Sequence, residues 1–151
     1  MPSDLTVFVD TNVLLYAQDP RNPEKQDRAK VWLDWCWREQ RGRISGQVLH
    51  ELYVNLRRLA PSLTALQARE MVCHYRRWHP WMVDDATVDQ AWLLQDETSY
   101  SYWDSLMLAA ALQQGCAYLL TEDLQHQQRI FKLAIISPFQ CTPQELFPPS
   151  R

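Results

Sequence analysis

The stretch Leu5-Thr6-Val7-Phe8-Val9-Asp10-Thr11-Asn12-Val13-Leu14-Leu15-Tyr16-Ala17 passes from a short apolar, β-branched run through one acid into a helical pattern. Leu5 to Val9 reads as a buried strand ending at Asp10. Asn12 to Ala17 reads as a helix, closed by the Asp19-Pro20 breaker. The figure recurs late in the chain. Trp103 to Gln114 is apolar on nearly every face and predicts a buried helix, with Gly115 closing it. Ala117 to Leu120 predicts a second buried strand, with Asp123 just past its end, and Leu133 to Ile136 a third.

Helical patterns fill the space between. Pro23 to Gln40 is the longest, with Pro23 suited to the first turn and Gly42 to the stop. Arg43 to Ser45 fits a brief strand, and Gln47 to Leu59 a helix ended before Pro61. A further helix runs from about Thr64 to Trp78, with Ser62 or Thr64 as its cap. Trp81 to Val83 then fits a short strand, and Ala86 to Glu97 a helix. The proline-rich tail from Thr142 to Arg151 is expected to be loose. Short apolar strands alternating with helices predict an α/β fold whose largely parallel sheet is covered on both faces. Sites in such sheets form outside the C-terminal strand ends. Asp10 and Asp123 stand at two of those ends.

The composition bounds the reading. With 151 residues, 46% of them apolar, the chain fits one domain spanning 1–151 with a real core. No stretch approaches the roughly 18 to 20 apolar residues of a membrane span. The first residues, MPSDLTVFVD, do not read as a secretory signal. Cys36, Cys73, Cys116 and Cys141 lie far apart without a C-x-x-C pair, so buried thiols in a reducing cytoplasm are expected. The net charge of −3 does not announce a nucleic-acid binder. Acids gathered around a cation would account for part of it. Local contacts to phosphate fall to Arg38, Arg41 and Arg43, to Arg57 and Arg58, or to Arg76 and Arg77, all equally readable as solvated helix ends.

Four acids carry the chemistry. Asp10 alone serves equally as the cap of the helix that follows it. Glu51 falls on the shoulder of the stripe formed by Val48, Leu49, Leu52, Leu56 and Leu59, half turned toward the core. Asp104 lies in the first turn of the helix that is apolar all round, on the face of Met107, Leu108 and Ala111. The helix dipole favours it there by roughly 0.3 to 1 kcal/mol. Burying an unpaired carboxylate costs several times that, so a cation is called for. Asp123 has Glu122 beside it as a rival for the same role. Carboxylates crowded together cannot all stay ionised without compensation, and hard oxygen donors suit Mg²⁺ or Mn²⁺.

These acids, in this order, resemble the PIN-domain family, and within it the VapC-type toxins of toxin–antitoxin pairs. The resemblance rests on Val7-Phe8-Val9-Asp10-Thr11-Asn12-Val13-Leu14, on Gln47-Val48-Leu49-His50-Glu51-Leu52-Tyr53, and on Ser101-Tyr102-Trp103-Asp104-Ser105-Leu106-Met107-Leu108-Ala109-Ala110-Ala111. Tyr118-Leu119-Leu120-Thr121-Glu122-Asp123-Leu124-Gln125-His126 and the closing Ile136-Ser137-Pro138-Phe139 complete it, so it covers about residues 5–139. Many such toxins carry a glycine where Gln127 stands. The resemblance implies a three-layer fold with parallel strands in the order 3-2-1-4-5. It also implies cleavage of RNA phosphodiesters by a metal-activated water. Carried over, Asp10, Glu51, Asp104 and Asp123 become Mg²⁺- or Mn²⁺-binding acids. Thr11, Asn12 and Thr121 become hydrogen-bonding supports, and Glu122 is counted with them. A small antitoxin protein and a homodimer are the partners it implies. No G-x-S-x-G, P-loop or H-E-x-x-H competes, and His50, His74, His79 and His126 show no ligand spacing.

Trp32, Trp35 and Trp37 crowd one helix. At about 100° per residue they point roughly toward 0°, 300° and 140°, so one core face cannot hold all three. Trp35 or Trp37 is therefore expected on a partner surface. Two rival readings remain. One is the same fold with degenerate catalysis, binding RNA or protein without cutting. The other is a phosphoacceptor domain, which needs an acceptor Asp on a middle strand and a late lysine; Lys132 is the only late one.

Overall fold

The computed structural model describes residues 5–149. The first four and last two residues of the expected 1–151 domain lie outside them. Strand β1 is Val7–Val9, followed by α1 (Thr11–Tyr16), α2 (Pro23–Glu39), β2 (Gly42–Arg43) and α3 (Gly46–Leu59). Helix α4 (Ala65–Tyr75) runs into a 3-10 turn, Arg76–Trp78, before α5 (Asp85–Glu97) and α6 (Tyr102–Gln113). Strand β3 (Tyr118–Leu120), the hairpin of β4 (Arg129–Ile130) and β5 (Leu133–Ile136), and the short α7 (Pro143–Leu146) complete the chain.

The sheet runs β2-β1-β3-β5-β4. The pairs β1–β2, β1–β3 and β3–β5 are parallel, with Val7 opposite both Gly42 and Tyr118, and Leu119 opposite Ile135. Every residue of β1 and β5 is buried. Because alternate side chains of a strand face opposite sides, both faces must be covered, and the molecule has three layers. The expected order 3-2-1-4-5 holds if Trp81 is counted as the third strand. That segment is reduced to one parallel bridge, Ser45 to Trp81, with Met82 and Val83 exposed. The antiparallel β4 at the far edge is an addition to the expectation.

Local chemistry explains the helix ends. Side chains of Asn22, Ser45, Thr64, Asp84 and Ser101 each accept a backbone N–H in the first turn of the helix that follows. Thr64, rather than Ser62, caps α4 and does so reciprocally with Gln67, at 2.8 and 3.1 Å. Helix α2 stops at Gln40, whose left-handed backbone sends its N–H to the Cys36 carbonyl, and not at Gly42. Gly42 is needed instead in β2: a Cβ there would stand 2.6 Å from the ring of Trp78. Gly115, at φ 73°, ends α6 as expected.

Three further expectations need correction. The tail is docked: Thr142 caps α7, and Phe147 stacks on Trp35 at 4.6 Å with Arg41 over both rings. That contact seals Trp35, which is only 5% exposed and cannot form a free partner surface. Trp37 is half-buried, stacked on His74 at 4.2 Å and packed edge-on against Trp78. Of the thiols, Cys36 and Cys116 are buried, but Cys73 is exposed and Cys141 half-buried; all four are free.

Candidate active site

Strands β1 and β3 are parallel neighbours, so the residues leaving their C-terminal ends meet. Asp10 caps α1, taking the Thr11 backbone N–H on Oδ1 at 2.6 Å. Its Oδ2 accepts the Thr121 hydroxyl at 2.7 Å and the Asn12 amide at 3.3 Å. The same Asn12 Nδ2 reaches Asp123 Oδ2 at 3.0 Å and Thr121 Oγ1 at 3.3 Å. Thr11 Oγ1 donates to Glu51 Oε2 at 3.0 Å, tying α1 to α3. The three supports expected at Thr11, Asn12 and Thr121 are thus the groups that knit Asp10, Glu51 and Asp123 into one network.

Asp104 joins less directly. Its backbone N–H is capped by Ser101, and it is half-buried on the first turn of α6. Gln47 links that turn to the network, donating to Glu51 Oε1 at 2.8 Å and to the Trp103 carbonyl at 3.4 Å. Sequence reasoning passed over Gln47, although it lies one helical turn before Glu51 on the same face. Among the described residues, no three His, Cys, Asp or Glu side chains converge closely enough to hold a metal by themselves.

Glu122 turns the other way. One carboxylate oxygen accepts Lys25 Nζ and the other the Tyr16 hydroxyl, the latter at 2.6 Å. Burial pushes its pKa up, but Lys25 and Tyr16 outweigh that and hold it below the ordinary value. Glu122 therefore braces the loop after β3 against α1 and α2. Of the adjacent acids Glu122 and Asp123, only Asp123 shares hydrogen bonds with Asp10. Nothing in the sequence marks Lys25, nearly a hundred residues upstream, as the partner of Glu122.

The electrostatics of the cluster are unbalanced. Burial pushes the Asp10 pKa up to about 7. Hydrogen bonds from Thr121 and Thr11 pull against that rise, while Asp123 and Glu51 add to it through like charge. Among the described residues, no Lys, Arg or His forms an ion pair with Asp10, Glu51, Asp104 or Asp123. Moreover, among the described residues, the buried side-chain oxygens without a hydrogen-bond partner are Asn12 Oδ1, Gln47 Oε1 and Ser105 Oγ, and the amides of Asn12 and Gln47 bond directly to these acids. An all-oxygen donor set with excess negative charge and spare acceptors fits a hard divalent cation. Mg²⁺ in particular is held by one or two carboxylates with water and substrate oxygens, and does not require three converging acids.

Comparison with known proteins defines the class. The model of the PIN domain family matches residues 7–132, and the chain belongs to that family. No curated protein matches it in sequence. Among solved structures, a toxin–antitoxin complex from Klebsiella pneumoniae superposes with a TM-score of 0.65 at 15% identity, covering 90% of this chain and 100% of that one. VapBC2 from Rickettsia felis, bound to a promoter DNA fragment, gives 0.61 at 16% identity, with 88% and 98% covered. Mycobacterium tuberculosis VapC20, described as a sarcin-ricin loop cleaving toxin, gives 0.56 at 20% identity, with 76% and 87% covered. At these identities the likeness is one of fold.

Proposed function

We propose that this chain, acting as a single domain over residues 1–151, is a Mg²⁺- or Mn²⁺-dependent endoribonuclease and the toxin of a toxin–antitoxin pair. The observation that carries the reading is the hydrogen-bonded cluster of buried Asp10, half-buried Glu51 and exposed Asp123, none ion-paired to a basic side chain among the described residues, with Asp104 on the adjoining helix turn, in a chain of the PIN family. Asp10, Glu51, Asp104 and Asp123 would hold the metal, which when bound supplies an acidified water and charge neutralisation at the phosphate. Asn12 and Thr121 orient Asp10 and fix its distance from Asp123. Thr11 and Gln47 aim the two oxygens of Glu51. A small antitoxin, a second copy of the chain and a cytoplasmic setting belong to this reading. The antitoxin is supported by the toxin–antitoxin complexes that share the fold. No helix among the described residues is long and apolar enough to cross a membrane.

The test is cleavage of single-stranded RNA with Mg²⁺ or Mn²⁺ and with chelator, comparing wild type with Asp104→Asn. Cleavage should need the cation and fall by about 100-fold or more in the variant, as for groups that act as one unit. Circular dichroism should show the variant folded. RNA binding without cutting under every metal condition would favour the alternative, a PIN-fold binding module without catalysis.

A further inference from the structure

On one side the acid cluster opens into a cleft of about 480 Å³ between α1, the second half of α3 and the loop after β3. Asn12 and Asp123 belong to cluster and cleft alike. Most charges around this cleft cancel. Arg21 grips Asp19 through two contacts, at 2.8 and 3.0 Å. Lys25 and Tyr16 occupy both oxygens of Glu122. Two lining charges remain, Asp123 and Arg58.

Arg58 lies on the last turn of α3, is exposed, and makes no ion pair or hydrogen bond among the described residues. One turn earlier, Asn55 lines the same cleft and is fixed by its amide to the Glu51 carbonyl at 2.8 Å. The other basic residues considered for phosphate contact are committed or sit elsewhere. Arg38 faces Glu39 at 3.8 Å, and Arg41 lies over Trp35 and Phe147. Arg43 donates to the Gln40 and Gly42 carbonyls, and Arg57 to that of Leu63. Arg76 and Arg77 line hollows that share no residue with the acids.

We infer that Arg58 is a substrate-binding residue, holding a backbone phosphate of the RNA strand beside the bond cut at the acid cluster. The inference rests on the nuclease reading proposed above. RNA carries a negative charge at every nucleotide, and carboxylates repel each one that no cation screens. A guanidinium at the rim of the cluster, with its donors free, takes a phosphate bidentately and fixes which way the strand enters. Arg58 acts on binding, because, of the four acids, only Asp123 shares this cleft with it, and Asp10, Glu51 and Asp104 lie outside its lining.

The experiment measures cleavage of an unstructured oligoribonucleotide with Mn²⁺ across a range of salt concentrations. It compares wild type, Arg58→Ala, Arg58→Lys and a distant control, Arg77→Ala. Arg58→Ala should raise KM about 10-fold with kcat changed less than about 3-fold, the loss expected for one charge-assisted contact. It should also flatten the dependence of log(kcat/KM) on log salt by about 0.7, one phosphate contact on a single strand. Arg58→Lys should restore the slope while leaving KM raised, and Arg77→Ala should match wild type. Unchanged KM and slope in Arg58→Ala would overturn the inference. So would a weakening with wild-type slope, the mark of structural damage. Fluorescence anisotropy of the same oligonucleotide with Asp104→Asn, with and without Arg58→Ala, separates the two claims. If wild type never cleaves but loss of Arg58 weakens binding with a flatter slope, the nuclease reading fails and the cleft assignment holds. If wild type cleaves and Arg58→Ala matches it in KM and slope, the cleft assignment alone fails.

Discussion

Asp10 is the residue on which the site's chemistry and its stability meet. In the unfolded chain its carboxyl titrates near 3.9. In the fold, burial raises the pKa to about 7, against the pull of Thr121 and Thr11. A pKa raised by folding means that the folded state binds the proton more tightly. Its stabilising contribution is complete below about pH 4 and is lost as pH climbs to about 7. Metal-free protein in chelator should therefore lose stability across that window. Asp10→Asn, which keeps the shape without the charge, should flatten the decline seen in urea unfolding at stepped pH. An equally steep decline in the variant would remove Asp10 as its cause. The four acids are legible in the sequence because their types, and their places past strand ends (Asp10, Asp123) or on helix turns (Glu51, Asp104), are local facts. Residue type alone does not separate Glu122 from Asp123, and only the family resemblance does; the contacts that turn Glu122 away come from Lys25 and Tyr16 in distant elements. Gln47, by contrast, is within reach of helical periodicity, one turn before Glu51.

Among the elements, long periodic helices and fully apolar strands could be read directly, because burial on one face or on both leaves its period in the sequence. The pieces that escaped are short. Strand β4 has two residues and its hairpin turns on left-handed backbone at Phe131, φ 54°. The loop before it carries Gln127 at φ 69°, where many toxins of this kind have glycine. The conformation is kept despite the side chain, anchored by the Gln127 N–H to the Ile135 carbonyl at 2.7 Å. Helix α2 ends at Gln40 and not at the expected Gly42, because Gly42 serves packing instead of chain reversal. That gives a test of β2. In Gly42→Ala the new methyl must displace the Trp78 ring, which is only 5% exposed and has little room to shift. Overpacking of this kind costs about 1 to 3 kcal/mol. Equilibrium urea denaturation should show the loss, and a wild-type midpoint would mean that Trp78 moves aside freely.

For the molecule as a whole, a formal charge of −3 is a poor guide to what it binds. Asp10, Glu51 and Asp123 share one hydrogen-bond network beyond the ends of β1 and β3, where a divalent cation would reverse their local effect, and Arg58 lines the cleft beside Asp123. The seven tryptophans are also distributed unevenly. Trp32, Trp35 and Trp78 are buried, Trp37 and Trp81 are half-buried, and only Trp92 and Trp103 are well exposed, at 54% and 64%. Trp103 immediately precedes Asp104, and its carbonyl receives Gln47. Such an indole is an optical probe built into the rim of the pocket. Paramagnetic Mn²⁺ arriving at the acids should quench a fraction of the intrinsic emission, and Trp103→Phe should abolish that response while Trp92→Phe preserves it. Full quenching in Trp103→Phe would locate the ion elsewhere on the surface. A quench that depends on Trp103 would make this indole a label-free fluorescent readout of metal occupancy.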